Sequence, residues 1–308
     1  MASKLGYFLR KPTNIYGWLV ANGKCEFLSD EQILKSLWRI KFNSELDFEN
    51  PKSFNQKLQW LKLHDRNPLY NKLVDKADVK EWVGETIGFE YVIPTYGVWN
   101  AFDDIDFSEL PSQFVMKCTH SSGGVFLCRD KATIDKKDWK NRLNHQLSRN
   151  LYYAGREWPY KDLKPRIIAE EYIGSNKELQ INDYKLMCFN GEVKCTFVCS
   201  ERNTPGGLKV TFFDNEWKVM PFERHFHKSQ KEIFCPKHFD KMIEIAEKLS
   251  KGIPFVRVDL YEENDRIFFG EMTFYPGCGF EEFTPEEWDY RLGEWIDLSA
   301  AYDRKETK

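Results

Sequence analysis

The stretch Phe255-Val256-Arg257-Val258-Asp259-Leu260-Tyr261, followed after a short polar turn by Ile267-Phe268-Phe269-Gly270-Glu271-Met272-Thr273, decides how this sequence is read. Side chains alternate faces along an extended strand. Val256, Val258 and Leu260 therefore share an apolar face, and Arg257 and Asp259 share the other. In the second segment Glu271 and Thr273 fall on one face. A hairpin with an odd-numbered loop centred on Asp265 would set Asp259 opposite Glu271, with Cβ atoms about 5 Å apart. Two carboxylates so placed repel unless something positive lies between them. Mg²⁺ held partly by phosphates would meet that need. The alternative is a different register, with both acids facing water.

Upstream, Phe114-Val115-Met116-Lys117-Cys118 sets a lysine inside an apolar strand. A lysine is rarely buried unless paired. The small residues Ser121-Ser122-Gly123-Gly124 follow, then a second apolar run, Val125 to Cys128. A loop of this kind can turn backbone N–H groups toward phosphates, because nothing bulky blocks their approach. An ordinary hairpin with a snorkelling lysine is the competing reading. Lys76 follows Asp75, which is expected to cap a helix carrying Ala77, Val79, Trp82 and Val83. A cation in a first turn opposes the helix dipole, so a phosphate partner or a surface position would have to explain it. Asp183 and Lys185 share a strand face, where the acid could take ribose hydroxyls and the lysine a phosphate.

The remaining pattern is mixed. Residues 1–70 read as helical, with a helix start at Ser29-Asp30-Glu31-Gln32 and an amphipathic stretch from Ser53 to His64 presenting Phe54, Leu58 and Leu61. Short strands are expected at Tyr91–Ile93, Phe114–Thr119 and Val125–Cys128, and a helix at Lys136–Leu151. A strand-rich run spans Arg166–Met220, with hairpin signals at Asn190-Gly191 and Asp214-Asn215. Helices are expected at Lys237–Ser250 and Pro285–Leu298. Strands joined by hairpins with helices beside them indicate an α+β fold with mostly antiparallel sheets. The expected division is a helical segment at 1–70, one lobe at 71–165 and a second at 166–308.

Bulk properties narrow the class. With 42% hydrophobic and 30% charged residues the chain is expected to be globular, and a net charge of −3 does not call for nucleic acid. No apolar run is long enough to span a bilayer. Met1–Lys11 is basic but lacks an apolar core, so no signal peptide is expected. The eight cysteines form no Cys-x-x-Cys pair and are expected as free thiols in a reducing cytoplasm.

Together, Asp75-Lys76, Phe114 to Lys117 with its glycine loop, Ile168-Ala169-Glu170-Glu171-Tyr172-Ile173, Asp183-Tyr184-Lys185, Arg257-Val258-Asp259 and Glu271 to Gly277 resemble ATP-grasp enzymes. The chain is more narrowly similar to the TupA-like ATP-grasp family. That likeness rests on Phe54 to Lys62, Asp65-Arg66-Asn67-Pro68, Gly155-Arg156-Glu157-Trp158-Pro159-Tyr160 and Phe283 to Trp288. The resemblance implies an ATP-grasp fold, two α+β lobes holding ATP between them, after a short helical N-terminal segment. It implies a ligase that makes an acyl phosphate and joins it to an amine. Members are associated with teichuronopeptide, capsule or lipopolysaccharide synthesis, so the implied partners are an acidic sugar or polysaccharide precursor and an amino acid or amine. The implied place is the cytoplasm, with peripheral association at a membrane-bound assembly machinery left open.

By the same resemblance Lys76 and Lys117 contact the nucleotide phosphates and Ser121, Ser122, Gly123 and Gly124 form the loop over them. Glu170, Glu171 and Tyr172 match the hinge that reads adenine, and Asp183 the ribose acid. Asp259 and Glu271 match the magnesium ligands, and Arg257, with Lys185, is assigned to catalysis. Thr273 stands where an asparagine usually supplies a third ligand, which leaves one or two Mg²⁺ ions open. Three rivals remain at the level of sequence: a phosphotransferase on the same fold, a glycosyltransferase using Asp104-Ile105-Asp106, and a non-catalytic assembly protein. Asp104 and Asp106 are read in preference as helix-start or turn residues, and His225 and His227 as surface or substrate-loop residues with no third metal ligand evident.

Overall fold

The computed structural model describes residues 12–174, 183–202, 204–299 and 301. Met1–Lys11, with its signal-peptide reading, lies outside them. The front of the chain is helical as expected: α1 Pro12–Ala21, α2 Asp30–Phe42, α3 Phe54–His64 and α4 Leu69–Val74. Both anticipated helix starts close a reciprocal cap. Ser29 Oγ accepts from the Gln32 N–H while Gln32 Oε1 accepts from the Ser29 N–H, and Ser53 and Gln56 repeat the arrangement. Such caps satisfy two orphan donors at each helix start.

Asp75 caps, but not the helix itself. Its Oδ1 accepts from the N–H groups of Ala77 and Asp78 (2.9 and 3.0 Å), and α5 begins only at Val79, running to Ile87. The intervening turn is held because the Lys76 N–H donates to Thr119 O, at the end of a strand. The strand expected at Tyr91–Ile93 is displaced. Phe89–Tyr91 is a 3₁₀ turn, Val92 makes a single bridge to Phe269, and β1 runs Thr95–Trp99. Pro94, which has no N–H to donate, separates the two.

Two sheets organise the molecule. The smaller contains β1, β2 (Phe114–Cys118), β3 (Phe126–Cys128) and β4 (Ile167–Glu170) in the order β1-β4-β2-β3, all antiparallel. It takes β4 from beyond residue 165, where the two lobes were expected to divide. Helix α6, Lys136–Leu147, covers one face of this sheet, burying Phe114, Met116, Cys118, Phe126 and Ala169 around Leu143. The expected helix end at Leu151 is not reached. Asn150 instead accepts from the Tyr152 N–H and opens the short α7, Tyr152–Gly155. Register puts Val115, Lys117, Leu127, Ile168 and Glu170 on the other face.

The larger sheet contains β5 (Asp183–Phe189), β6 (Glu192–Ser200), β7 (Lys209–Phe213), β9 (Phe255–Glu263) and β10 (Arg266–Thr273) in the order β10-β9-β5-β6-β7, again antiparallel. A two-stranded piece joins β8 (Glu223–Arg224) to β11 (Phe283–Thr284). Asn190 and Gly191 form the two-residue β5–β6 turn, both at positive φ (51° and 88°), as a type I′ turn requires. Asp214 opens a looser turn, closed by its N–H to Lys218 O, and the returning chain makes one bridge, Phe213 to Val219. Helix α8, Phe239–Ser250, sets Met242, Ile245, Ala246 and Leu249 against the face carrying Val256, Val258 and Leu260. The last helix, α9, spans Glu287–Glu294 and is shorter than the expected Pro285–Leu298. No helix among the described residues is long and apolar enough to cross a membrane. All eight cysteines are free thiols, six of them buried.

The β9–β10 hairpin reaches the expected pairing by another route. Its turn holds two residues, Asn264 and Asp265, at φ 51° and 61°. From that turn alone Asp259 would face Gly270 and Glu271 would point into the core. A bulge between Phe269 and Glu271 inserts Gly270 as an unpaired residue, so that Asp259 pairs with Glu271 and Arg257 with Thr273. The bulge needs glycine: a Cβ there would sit 2.9 Å from the Tyr261 ring and 3.1 Å from Asp259 O. Gly270→Ala is expected to lower stability by about 1–3 kcal/mol, the usual cost of overpacking, read as a shifted urea midpoint at unchanged slope.

Candidate active site

The polar face of the larger sheet carries a compact set of charges. Lys185, paired in register with Asp259, donates to Asp259 Oδ2 and lies 2.6 Å from Asp183 Oδ2. Arg257 holds Asp259 through two bonds, Nε to Oδ1 (2.6 Å) and NH2 to Oδ2 (2.7 Å), and its NH2 also reaches Glu271 Oε1 at 3.1 Å. The positive charge required between the facing acids is thus supplied by Arg257. Thr273 Oγ1 lies 3.4 Å from Glu271 Oε1.

The second side of the cleft comes from the smaller sheet and the Lys76 turn. Lys76 Nζ donates to Ser121 O (2.7 Å) and reaches across to Glu271 Oε2 (3.3 Å), an ion pair joining the two halves. Lys117 Nζ lies 2.5 Å from Glu170 Oε2, and Lys80 Nζ 2.6 Å from Glu170 Oε1. Glu170, assigned from sequence to adenine reading through its backbone, also presents a buried carboxylate that spaces two lysines. Ser121 is buried, whereas Ser122, Gly123 and Gly124 are exposed, the glycines at φ 74° and 65°. Glu171 and Tyr172 follow β4 as the chain leaves the smaller sheet, and the Glu171 N–H donates to Pro94 O.

Electrostatics follow from this packing. Burial opposes ionisation of Glu271, but Lys76, Arg257, Lys185 and Lys117 outweigh it and hold the carboxyl well below the usual carboxylate range. Lys117, on the smaller sheet, therefore acts on an acid of the larger one. Burial likewise disfavours the Glu170 carboxylate, yet Lys117 and Lys80 keep its pKa low. Asp183 goes the other way: burial raises it despite Lys185. Three acids (Asp183, Asp259, Glu271) meet three cations (Lys76, Lys185, Arg257), and Glu170 meets two lysines. The balance leaves one positive charge in excess, which suits a polyanion.

The sequence reading missed several supports. Lys80 lies four residues after Lys76 and reaches the same cleft. Arg166 clamps the Lys76 turn through Asp75 (2.8 Å) and Asp78 (2.7 Å). Lys62 and Gln59, buried on α3, bind the turn after β10: Lys62 Nζ donates to Cys278 O (2.7 Å) and Gln59 Nε2 to Gly279 O (2.7 Å). Gln59 and Lys62 were present as polar residues interrupting an apolar helix face, a pattern that sequence alone does not separate from solvent exposure. Asp104 and Asp106 hold local turns, accepting from the Ala101 N–H and the Ser108 N–H, and lie outside the cleft set. His227 pairs with Glu223 at 2.7 Å.

Among the described residues no group of three or more His, Cys, Asp or Glu side chains is placed to hold a metal ion. The donor chemistry nevertheless fits a magnesium ion that brings phosphate oxygens with it. Glu271 is a hard carboxylate donor with a side chain one-third exposed to the cleft, and Asp259 faces it from the adjoining strand. Asp259 is 1% exposed and both its oxygens are engaged by cations. Asp183 Oδ1 is buried without a hydrogen-bond partner among the described residues, an acceptor suited to a hydroxyl donor.

A family model described as TupA-like ATP-grasp matches residues 56–297. No curated protein matches the sequence. Among solved structures, a D-alanine–D-alanine ligase from Bacillus anthracis complexed with ATP is 13% identical, with 77% of this chain and 69% of that chain covered and a TM-score of 0.43. The corresponding ligase from Helicobacter pylori is 12% identical (80% and 70% covered, TM-score 0.39). A D-cycloserine synthetase is 16% identical (79% and 73% covered, TM-score 0.38).

Proposed function

The chain belongs to the TupA-like ATP-grasp family, and from that premise we propose that it is an ATP-dependent carboxylate–amine ligase acting through an acyl phosphate. The observation that carries this reading is the convergence of Lys76, Lys117, Lys185 and Arg257 on the Asp259–Glu271 pair. Such a site can spread the charge of a phosphoryl group in transit, and the reaction needs no protein nucleophile. The γ-phosphoryl group passes to a carboxylate oxygen of the substrate and ADP departs. An uncharged amine nitrogen then bonds to the acyl carbon, phosphate leaves with the electron pair of the C–O bond, and the proton lost by the nitrogen goes to the departing phosphate. Lys76 and Lys117 would bind phosphate oxygens, Asp183 the ribose, and Arg257 the oxyanion at the acyl carbon. Glu271 and Asp259 would hold Mg²⁺, which supplies neutralising charge at the phosphate oxygens. Ser121 to Gly124 would cover the phosphates, and Glu170 to Tyr172 the adenine.

The finer substrate reading is an amide between a uronic acid of a cell-surface polysaccharide, or its precursor, and an amino acid or amine, made in the cytoplasm. It rests on the family resemblance. Hydroxylamine trapping tests it. Protein, ATP, Mg²⁺ and uronic acids are expected to give a hydroxamate with one phosphate released per ATP. ADP with a stable phosphorylated product would identify a kinase, and turnover of a nucleotide sugar without ATP a glycosyltransferase. Lys117→Ala removes a charge-assisted hydrogen bond and is expected to weaken ATP binding about 10–100-fold by calorimetry. Unchanged affinity would remove Lys117 from the nucleotide site.

A further inference from the structure

A single row of side chains crosses the larger sheet on its cleft face: Glu271, Asp259, Lys185, Phe197 and Phe212. The charged half of the row is the site described above. The aromatic half is buried, Phe197 being 2% and Phe212 1% exposed, and a cation lies over it. Arg224, on β8, holds Cζ 5.0 Å from the centre of the Phe197 ring and 5.6 Å from that of Phe212. Arg257 Cζ lies 5.7 Å from the same Phe197 ring. Each contact is favourable by itself, because an aromatic face attracts a cation. Two cations on one ring, however, repel each other.

Packing alone does not account for Arg224. Its side chain is 7% exposed. Its ion pair, Nε to Glu281 Oε2 at 2.9 Å, is not aligned as a hydrogen bond, and NH1 is buried with no hydrogen-bond partner among the described residues. Burial opposes its charge, Glu281 favours it and Arg257 opposes it. A methionine would cover both rings without burying a charge. Nor can Arg224 draw back. It pairs with Phe283 of β11, the His225 N–H donates to Glu282 O (3.0 Å), and the Phe226 N–H donates to Arg224 O (2.6 Å). Glu281 is fixed in turn. Its carbonyl accepts from Asn55 Nδ2 on α3 (2.9 Å), and its carboxylate lies over Gly277, where a Cβ would sit 2.3 Å from Glu281 Cδ. Arg257 is held along one edge, by Nε and NH2, and its NH1 makes no hydrogen bond among the described residues.

We infer that Arg224 is a positioning residue for Arg257: fixed across the Phe197 ring, its charge keeps the Arg257 guanidinium on the side of Asp259, Glu271 and the acyl group. This deepens the ligase reading and rests on it. Without Arg224 the Phe197 and Phe212 rings would offer Arg257 a second resting place, away from the two carboxylates. With Arg224 there, that place is already taken by a like charge. The β8–β11 ribbon thereby acts on the reaction without touching substrate, and α3 acts through Asn55 and Glu281.

The test is a double-mutant cycle on the full chain, with ATP, Mg²⁺, hydroxylamine and the uronic acid that supports trapping in the wild type. Arg224→Met is expected to lower kcat for hydroxamate about 10–50-fold, within the range of groups that couple directly. KM for ATP is expected to stay within about threefold of wild type. In an Arg257→Met background the same change is expected to lower kcat by less than about threefold, because the residue it positions is gone. The urea midpoint of Arg224→Met is expected to match or exceed that of the wild type. Should Arg224→Met fail to fold, Phe197→Leu, which removes the shared ring, passes through the same cycle with the same kinetic expectations. Equal losses in both backgrounds, with a lowered midpoint, would make Arg224 a tether of β8 to Glu281 and overturn the assignment. An unchanged kcat, or a rise in ATP KM alone, would overturn it as well. A wild type that forms no hydroxamate with any acid would overturn the ligase reading itself, and this assignment with it.

Discussion

Lys185→Met is expected to destabilise the protein by about 3–5 kcal/mol at neutral pH, the cost of leaving a buried charge without its partner. Lys185 is 7% exposed and stands between Asp183 and Asp259, which are also shielded from water. Methionine fills similar volume, so packing contributes little and the deficit reports Asp183 left without its cation and Asp259 left to Arg257 alone. Denaturant unfolding reads it. Adding Asp183→Asn should recover part of the loss, because the carboxylate left without a cation is then removed.

The sign with pH also follows. Asp183 has a folded pKa above its unfolded value of 3.8, so what its protonation contributes is present below that value and lost as pH rises through the folded one. Glu271 is the reverse: its folded pKa is depressed below 4.5, so its contribution is present above 4.5 and fades as pH falls toward the folded value. Glu271 keeps Lys76 and Arg257 in both proteins, so its protonation weakens both on acidification. Asp183 in the variant has lost Lys185, the charge that lowers it, so its protonation relieves the variant more and the gap should narrow as pH falls. A gap independent of pH would mean that Lys185 acts through packing.

Arg257→Met is expected to cut ligation about 10²–10³-fold, the usual effect of removing an oxyanion donor. ATP affinity should stay within about tenfold of wild type, because the lysines proposed for the phosphates remain. Comparing ATP calorimetry with hydroxamate formation separates the two effects. Loss of ATP affinity in proportion to activity would place Arg257 in nucleotide binding instead. Stability should fall as well, since Asp259 and Glu271 would lose the guanidinium that bridges them.

Strand alternation made much of this arrangement legible. It put Arg257 and Asp259 on one face and Val258 on the other, which is how they lie. The caps at Ser29 and Ser53 were readable because their partners are three residues away. What escaped depends on distant partners. The pairing of Asp259 with Glu271 was anticipated from an odd loop, but arises from a two-residue turn plus the Gly270 bulge. Nothing local distinguishes those routes. Lys62 was named only as the end of the Phe54 to Lys62 motif, and only the Cys278 loop, more than two hundred residues later, explains its burial.

The clasp between α3 and the C-terminal part of the chain bears on how the protein is made. Asn55 binds Asp289 and Glu281, Lys57 binds Ile296 O, and Gln59 and Lys62 bind the Cys278 loop, all across 216–239 residues. A helix translated before its partners must therefore wait, with Phe54 and Leu58 uncovered, until more than two hundred further residues have emerged from the ribosome. Pairings so distant in sequence are slow to close. Nascent chains stalled before residue 280 are thus expected to be targets for chaperones that recognise exposed apolar helices.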